Sequence, residues 1–412
     1  MAIDGQWLSG AKGLLDETIA LRRRIHEQPE LGLDLPVTTK AVLDSLKGLD
    51  VEIDRGPSTS GLIVTLKGPS QGATVLLRGD MDALPMDEDT SLPFASKEKG
   101  RMHACGHDAH TAMLTAAVKL LHRHRDRLAG TVKFMFQPGE EGHFGALRMI
   151  EDGLIEKDPK PSGAFAIHVT TNQPAGVFAS RPGALLASTD EVSIKVWGKG
   201  GHAAMPYLAL DPIPVACEIV SALQAMVTRR INPFDPVILT IAKIESGTTR
   251  NVIPETATLL GTLRSLSEHS RKVARGAIER TATKVAEAHG ARAEVVLTPG
   301  YDVTVNDGRM VALAGNVVKE LLGESGYINM PAPIMGGEDW SYVLQRIPGC
   351  MVFLGVAPKS ASWRDAAPLH SNRMTLEEEA MANGIALHAA VAERFLASGF
   401  GEEIPTKAAT QR

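Results

Sequence analysis

Four short apolar runs most constrain what this chain can fold into: Gly61–Leu66, Ala73–Leu77, Thr131–Phe136 and Ala164–Ile167. They are β-branched or Leu-rich, and helical stretches separate the later ones, notably Ala109–His122. Strands alternating with helices imply βαβ units and a mainly parallel central sheet, so the class is α/β. Upstream, Leu14, Leu15, Ile19, Leu21 and Ile25 fall at helical spacing. With its Arg-rich outer face, Leu14–His26 reads as a surface helix, and Val37–Leu46 reads as a second helix.

The pattern changes near Leu186. Glu191–Trp197, Val237–Ile244, Ala257–Leu263 and Ala293–Leu297 read as strands, and Pro212–Arg229 and Ser267–His289 as helices, the latter opened by a Ser cap. That β-α-β-β-α-β order resembles a ferredoxin-like split unit. Helices at Gly308–Leu322, Glu338–Arg346 and Leu376–Ala397 and a strand at Met351–Leu354 return to the first pattern. The expected organisation is a catalytic domain of residues 1–186 plus 301–412, interrupted by an α+β domain of residues 187–300. A length of 412 residues suits two or three domains. The last dozen residues read as a frayed tail.

Charge and cysteine usage exclude several classes. A formal net charge of −5 offers no basic footprint for nucleic acid. Cys105, Cys217 and Cys350 form no framework spacing, which argues for a reducing compartment without structural disulfides. The first ten residues lack the basic and apolar regions of a signal peptide, and Lys119 breaks the apolar run Ala112–Leu121. A cytoplasmic protein that neither spans nor binds a membrane is expected.

Four clusters carry candidate chemistry at predicted strand ends, where open α/β sheets place ligands. Arg78-Gly79-Asp80-Met81-Asp82 follows Ala73–Leu77, and its two acids could face a polar crevice or simply form a turn. His103-Ala104-Cys105-Gly106-His107-Asp108-Ala109-His110 sets three histidines, a thiol and an acid at a predicted helix start. Thiolate and imidazole suit borderline metals such as zinc, although Asp108 could merely cap the helix. Gln137-Pro138-Gly139-Glu140-Glu141-Gly142 could point one glutamate at a metal and its neighbour at a proton-transfer position, or be a solvated pair. His168 and His370 each end an apolar run, where a lone histidine is more often structural. Together Cys105, His107, Glu141, His168 and His370 complete a count of five ligands, enough for a two-metal site with open positions.

These residues resemble the co-catalytic-metal aminoacylase and carboxypeptidase superfamily, in its amidohydrolase branch of hippurate hydrolases, N-acyl-amino-acid amidohydrolases and indoleacetyl–amino-acid hydrolases. The match begins at Leu21-Arg22-Arg23-Arg24-Ile25-His26-Glu27-Gln28-Pro29-Glu30-Leu31-Gly32 and runs through the four clusters. It continues in Gly200-Gly201-His202, Asn251-Val252-Ile253-Pro254, Gly261-Thr262-Leu263-Arg264, Gly336-Gly337-Glu338-Asp339 and Leu369-His370-Ser371. The resemblance implies a metal-binding α/β domain with an inserted lid that often mediates dimerisation, and so a homodimer or dimer-based tetramer. Asp80 stands where the wider superfamily has a metal-binding histidine, and Cys105 where it has a bridging aspartate; the amidohydrolase branch shares this change.

By the same resemblance Glu140 is the general base and acid, and Asp82 orients a metal-binding imidazole. His202 donates to the developing oxyanion, Asn251 and Arg264 hold the substrate carboxylate, and Gly336 and Gly337 let the backbone approach it. The implied reaction is metal-dependent hydrolysis of an N-acyl amino acid (acetyl-, benzoyl- or related) to a carboxylate and a free amino acid. Two divalent ions are expected, with Zn²⁺, Mn²⁺, Co²⁺ and Ni²⁺ all compatible with a Cys/His/Glu set. The alternatives are a dipeptidase or metallocarboxypeptidase of the same superfamily, a Cys105 nucleophile with His103 or His107 as base, and a non-catalytic binding protein retaining the fold.

Overall fold

The apolar runs assemble into one eight-stranded mixed sheet. The computed structural model describes residues 5–359 and 362–400. They fall into two units, the first within 1–183, 305–332 and 342–412, the second 184–304 and 333–341. In the first unit the strands are β1 (Glu52–Arg55), β2 (Leu62–Lys67), β3 (Ala73–Asp80), β4 (Gly130–Gln137), β5 (Gly163–Pro174), β6 (Phe178–Ser180), β7 (Tyr327–Asn329) and β8 (Gly349–Ala357). Their order is β1-β2-β4-β3-β5-β8-β6-β7. The centre, β4-β3-β5-β8, is parallel, while β2 runs antiparallel to β4 and β6 to β8. Every residue of β8 and nearly every residue of β3 and β4 is buried, which is why these strands read as continuous apolar runs.

Helices α1 (Gln6–Gly13), α2 (Leu15–His26), α3 (Pro36–Leu46), α4 (His107–Arg123), α5 (Gly145–Glu151), α6 (Gly308–Leu322) and α7 (Met381–Ser398) complete this unit. Of these, α1, α2 and α7 pack against α4, and α4 and α7 against β3. Fourteen of the 17 residues of α4 are buried, so its polar side chains His107, Asp108 and His110 must find partners inside the protein. From β3 the chain passes through α4 to β4, then to β5 on the opposite side of β3. The order reverses between β3 and β5, and the carboxyl ends of those strands open the crevice where such sheets bind ligands.

The second unit is a four-stranded antiparallel sheet in the order Val237–Ser246, Thr256–Ser265, Ser188–Trp197, Arg292–Pro299. Helices Pro212–Arg230 and Glu268–Ala288 pack onto it. This is the split β-α-β-β-α-β arrangement. Alternate residues of Ser188–Trp197 are buried in a core shared with both helices. Ser267 Oγ accepts the Ser270 amide at 3.0 Å and caps the second helix.

Four local expectations need correction. The outer face assigned to α2 is not wholly exposed: Arg22 is 2 % exposed, because Asp108 and Glu378 bind its guanidinium. The helix expected over Glu338–Arg346 spans only Ser341–Leu344, since the Glu338 carboxylate takes the Trp340 amide at 2.9 Å and holds a turn instead. The strand ending before His168 continues to Pro174, so that histidine sits within β5. Asp80 likewise closes β3 rather than lying in the turn beyond it. The tail residues 401–412 lie outside the described residues.

Candidate metal centre

At the end of β3 the Asp80 carboxylate is fully buried and fully engaged. Arg78 Nη1 donates to its Oδ2 at 2.5 Å and His110 Nδ1 to its Oδ1 at 2.5 Å. Burial alone would raise its pKa, but Arg78, His107 and His110 hold it well below the usual carboxylate range. The other nitrogen of His110, Nε2, accepts the Val169 amide at 2.8 Å. Both ring nitrogens of His110 are therefore committed, in the Nδ1–H tautomer, and burial keeps the ring neutral.

Helix α4 begins at His107 because Gly106 turns the chain with φ +82°. A Cβ there would also lie 2.4 Å from Val169 Cγ2, so only glycine fits. His107 Nδ1 donates to the Asp82 carbonyl at 2.8 Å. Its Nε2 is buried without a hydrogen-bond partner and lies 3.5 Å from Asp80 Oδ2. On β5, His168 Nδ1 donates to the Val169 carbonyl at 2.7 Å, and its Nε2 lies 3.6 Å from Cys105 Sγ. Both imidazoles thus spend Nδ1–H on a main-chain carbonyl and present Nε2, the arrangement that orients a metal-binding histidine.

Beyond β4 the Glu140–Glu141 turn is gripped by one side chain. Asp82 Oδ1 accepts the Glu140 amide at 2.9 Å and Oδ2 the Glu141 amide at 3.0 Å. His370 arrives on a loop in which its own φ is +64°, an uncommon conformation for a residue with a Cβ. Its amide donates to the Ala104 carbonyl at 2.9 Å, and its Nε2 lies 3.2 Å from Glu141 Oε1. Ligand atoms of Cys105, Glu141 and His370 all lie within 4.8 Å of one another. The same holds for His107, Glu140 and Glu141, and for Asp80, His107, His110 and His168.

The clustered groups shift one another's protonation. Burial pulls the His107 pKa down, yet Asp80 and Cys105 outweigh it and raise it well above the ordinary value. Cys105 and Glu141 raise His370 to about 10. Burial pushes His168 well below its usual range, leaving it neutral. The Cys105 thiol is raised by burial against the pull of His107. A mixed sulfur, nitrogen and oxygen donor set with a buried unpartnered Nε2 fits divalent transition metals. His103, by contrast, is buried at a pKa of about 3, and neither of its ring nitrogens has a hydrogen-bond partner. It therefore makes no contact that could activate the Cys105 thiol.

The remaining candidates lie in the second unit. His202 and Val252 pair across a two-stranded ribbon, with the Ala203 amide donating to the Asn251 carbonyl at 3.1 Å. His202 is exposed, and its Nδ1 accepts the Ala204 amide at 3.0 Å, which places the ring proton on Nε2. The Arg264 guanidinium is half-buried with no hydrogen-bond or ion-pair partner among the described residues. Gly337 packs against Thr189, where a Cβ would meet Cγ2 at 2.4 Å, while Gly336 has ordinary room.

Sequence reasoning gave no role to Arg78, His110, Arg22 or His26. Spacing held a signal, since His107 and His110 are three residues apart on one helix face and Arg22 and His26 four apart on another.

Residues 76–394 match peptidase family M20/M25/M40. Thermostable carboxypeptidase 1 of Saccharolobus solfataricus is 38% identical, over 92% of this chain and 95% of that protein. IAA-amino acid hydrolase ILR1-like 4 of Arabidopsis thaliana is 39% identical, over 96% and 89%. The solved structure of the Bacillus subtilis YXEP protein, a dinuclear metal binding peptidase, superposes with a TM-score of 0.81 at 32% identity, covering 94% of this chain and 99% of that one.

Proposed function

The chain belongs to peptidase family M20/M25/M40, and from that premise we propose that it hydrolyses the amide bond of an N-acyl amino acid with two divalent metal ions. The observation that carries this reading is the meeting of Cys105, His107, Glu141, His168 and His370, drawn from four separate chain segments, with both buried imidazoles presenting Nε2. Cys105 stands in reach of His168 on one side and of Glu141 and His370 on the other, and these side chains would hold the metals. When bound, the metals polarise the scissile carbonyl and acidify the attacking water.

The protein's own groups then divide the work. Glu140, held by its amide on Asp82, takes the proton from the water and returns it to the leaving amine. Asp82 sets the turn that carries both glutamates and, through its carbonyl, the ring of His107. His202, protonated on Nε2, donates to the oxyanion, a role worth ~3 kcal/mol where such donors are preorganised. Arg264, a half-buried cation without a carboxylate partner among the described residues, takes the substrate carboxylate together with Asn251. Gly336 and Gly337 border that subsite. We place the enzyme in the cytoplasm as a homodimer or dimer-based tetramer joined through the second unit. Among the described residues no helix is long and apolar enough to cross a membrane.

A carboxypeptidase reading has the same Arg264 and metals and is favoured by the carboxypeptidase relative. Assaying acetyl-, benzoyl- and longer-chain N-acyl amino acids beside unblocked dipeptides, with metal analysis of the same sample, separates the two. Turnover confined to unblocked peptides would refute the N-acyl reading.

A further inference from the structure

The motif Leu21–Gly32 has no part in the reaction above, yet it supplies two deeply buried charged groups outside the metal ligands. Arg22 and His26, 2 % and 0 % exposed, converge on Asp108, the residue after His107. Arg22 Nε and His26 Nδ1 each donate to Asp108 Oδ2 at 2.8 Å. Arg22 Nη1 also donates to Glu378 at 2.9 Å, and His26 Nε2 to Glu88 at 3.2 Å. With acceptors on both nitrogens, His26 is a buried imidazolium. His103 packs against it with ring centroids 6.2 Å apart.

Burying such a cluster is a poor route to stability, because apolar side chains of like volume often serve as well. What the cluster supplies is one defined position for Asp108. Helix α4 has glycine at its N-cap and no side-chain cap there, so its first turn is fixed by side chains that reach other elements: His107 to the Asp82 carbonyl, His110 to Asp80, and Asp108 to α2. The Cys105–His107 segment is held from both ends. The Ala104 carbonyl is tied to the His370 loop, and Asp108 to α2. The same motif also reaches the other loop of the site, since the Glu30 carbonyl accepts the amide of Ala83, next to Asp82.

We propose that Arg22, His26 and Asp108 form a positioning cluster that sets the metal affinity of Cys105 and His107, an inference that rests on the metal reading above. The test is the affinity of the metal-free protein for Zn²⁺ or Mn²⁺, measured by competition with a chromogenic chelator well below the melting temperature of each variant. His26→Leu and Arg22→Met are expected to weaken binding 10- to 100-fold, as loss of a group supporting a ligand does elsewhere. His26→Asn, whose amide can replace Nδ1–H toward Asp108, recovers most of that loss. Arg22→Lys keeps the charge but not the fork that reaches Asp108 and Glu378 together, and falls between.

Unchanged affinity in folded variants that melt earlier would reduce the cluster to a fold-stabilising role and overturn the inference. So would failure of even Arg22→Lys and His26→Asn to fold. Cys105→Ala separates the two readings: if it binds metal as tightly as the parent, the metal assignment itself fails. If it binds weakly while the cluster variants do not, only the positioning inference falls.

Discussion

Replacing Asp82 by asparagine removes one oxygen from a carboxylate that accepts two main-chain amides, those of Glu140 at 2.9 Å and Glu141 at 3.0 Å. Asparagine keeps an acceptor for one amide and turns an NH₂ toward the other, so one charge-assisted hydrogen bond becomes a donor–donor contact. Hydrogen bonds to charged groups contribute ~1.5–3 kcal/mol net. At 1.4 kcal/mol per tenfold, the set position of the turn loses about 10- to 140-fold against alternatives. The carbonyl that orients His107 belongs to the Asp82 main chain and survives the substitution. The loss should therefore appear on the glutamate side of the site. Metal affinity, read by chelator competition, and kcat on the best N-acyl amino acid should both fall in Asp82→Asn while the protein stays folded. Asp82→Ala, which leaves neither amide an acceptor, should be worse. If Asp82→Asn kept metal affinity and kcat within about threefold of the parent, the carboxylate would not be what sets the turn.

Adjacent Glu140 and Glu141 should separate by assay: Glu141→Gln lowers metal content, whereas Glu140→Gln retains metal and loses at least ~10²-fold in turnover, and equal metal loss in both contradicts the assignment. Chelation should abolish activity, a divalent transition metal should restore it, and iodoacetamide should label Cys105 in metal-free protein only; equal labelling with metal present would remove Cys105 from the ligand set. Burial lowers the pKa of His26, but Asp108 and Glu88 outweigh it and raise it to about 8 from 6.5. Its stabilisation, about 2 kcal/mol by linkage, is then complete below pH 6.5 and lost as pH rises through 8, so melting curves across that window should flatten in His26→Leu. His202→Ala should depress kcat with metal content intact. If His202 serves the partner subunit's site, mixing that variant with Glu140→Gln restores activity, because one site of each mixed dimer carries both defects and the other neither; mixed dimers without recovery leave its action within its own chain, or leave it no role.

The elements were legible where local chemistry repeats. Gly308–Leu322 matched to the residue, and the Ser267 cap and the alternation of Glu191–Trp197 were readable because helix and half-buried strand impose fixed periods on neighbouring residues. The ends of strands were not. Arg78, Asp80 and His168 are polar side chains inside strands, and they sit there because partners distant in the chain, Gln137, His110 and Cys105, satisfy them. Periodicity read each of them as the edge of an apolar run.

Residue type and short spacing were enough to read the class of sheet and the kinds of candidate ligand: apolar runs between helices, and a thiol, imidazoles and glutamates set beside glycines. Only the tertiary structure decided what each of those groups is free to do. His107 and His110 look alike in the sequence, yet one presents a buried unpartnered Nε2 and the other spends both nitrogens on Asp80 and Val169. Arg22 reads as one of three exposed arginines on a surface helix, and it became a buried counter-charge because Asp108 lies beneath it on α4. A buried polar atom is defined by its partner, and the partner here comes from 30 to 86 residues away along the chain.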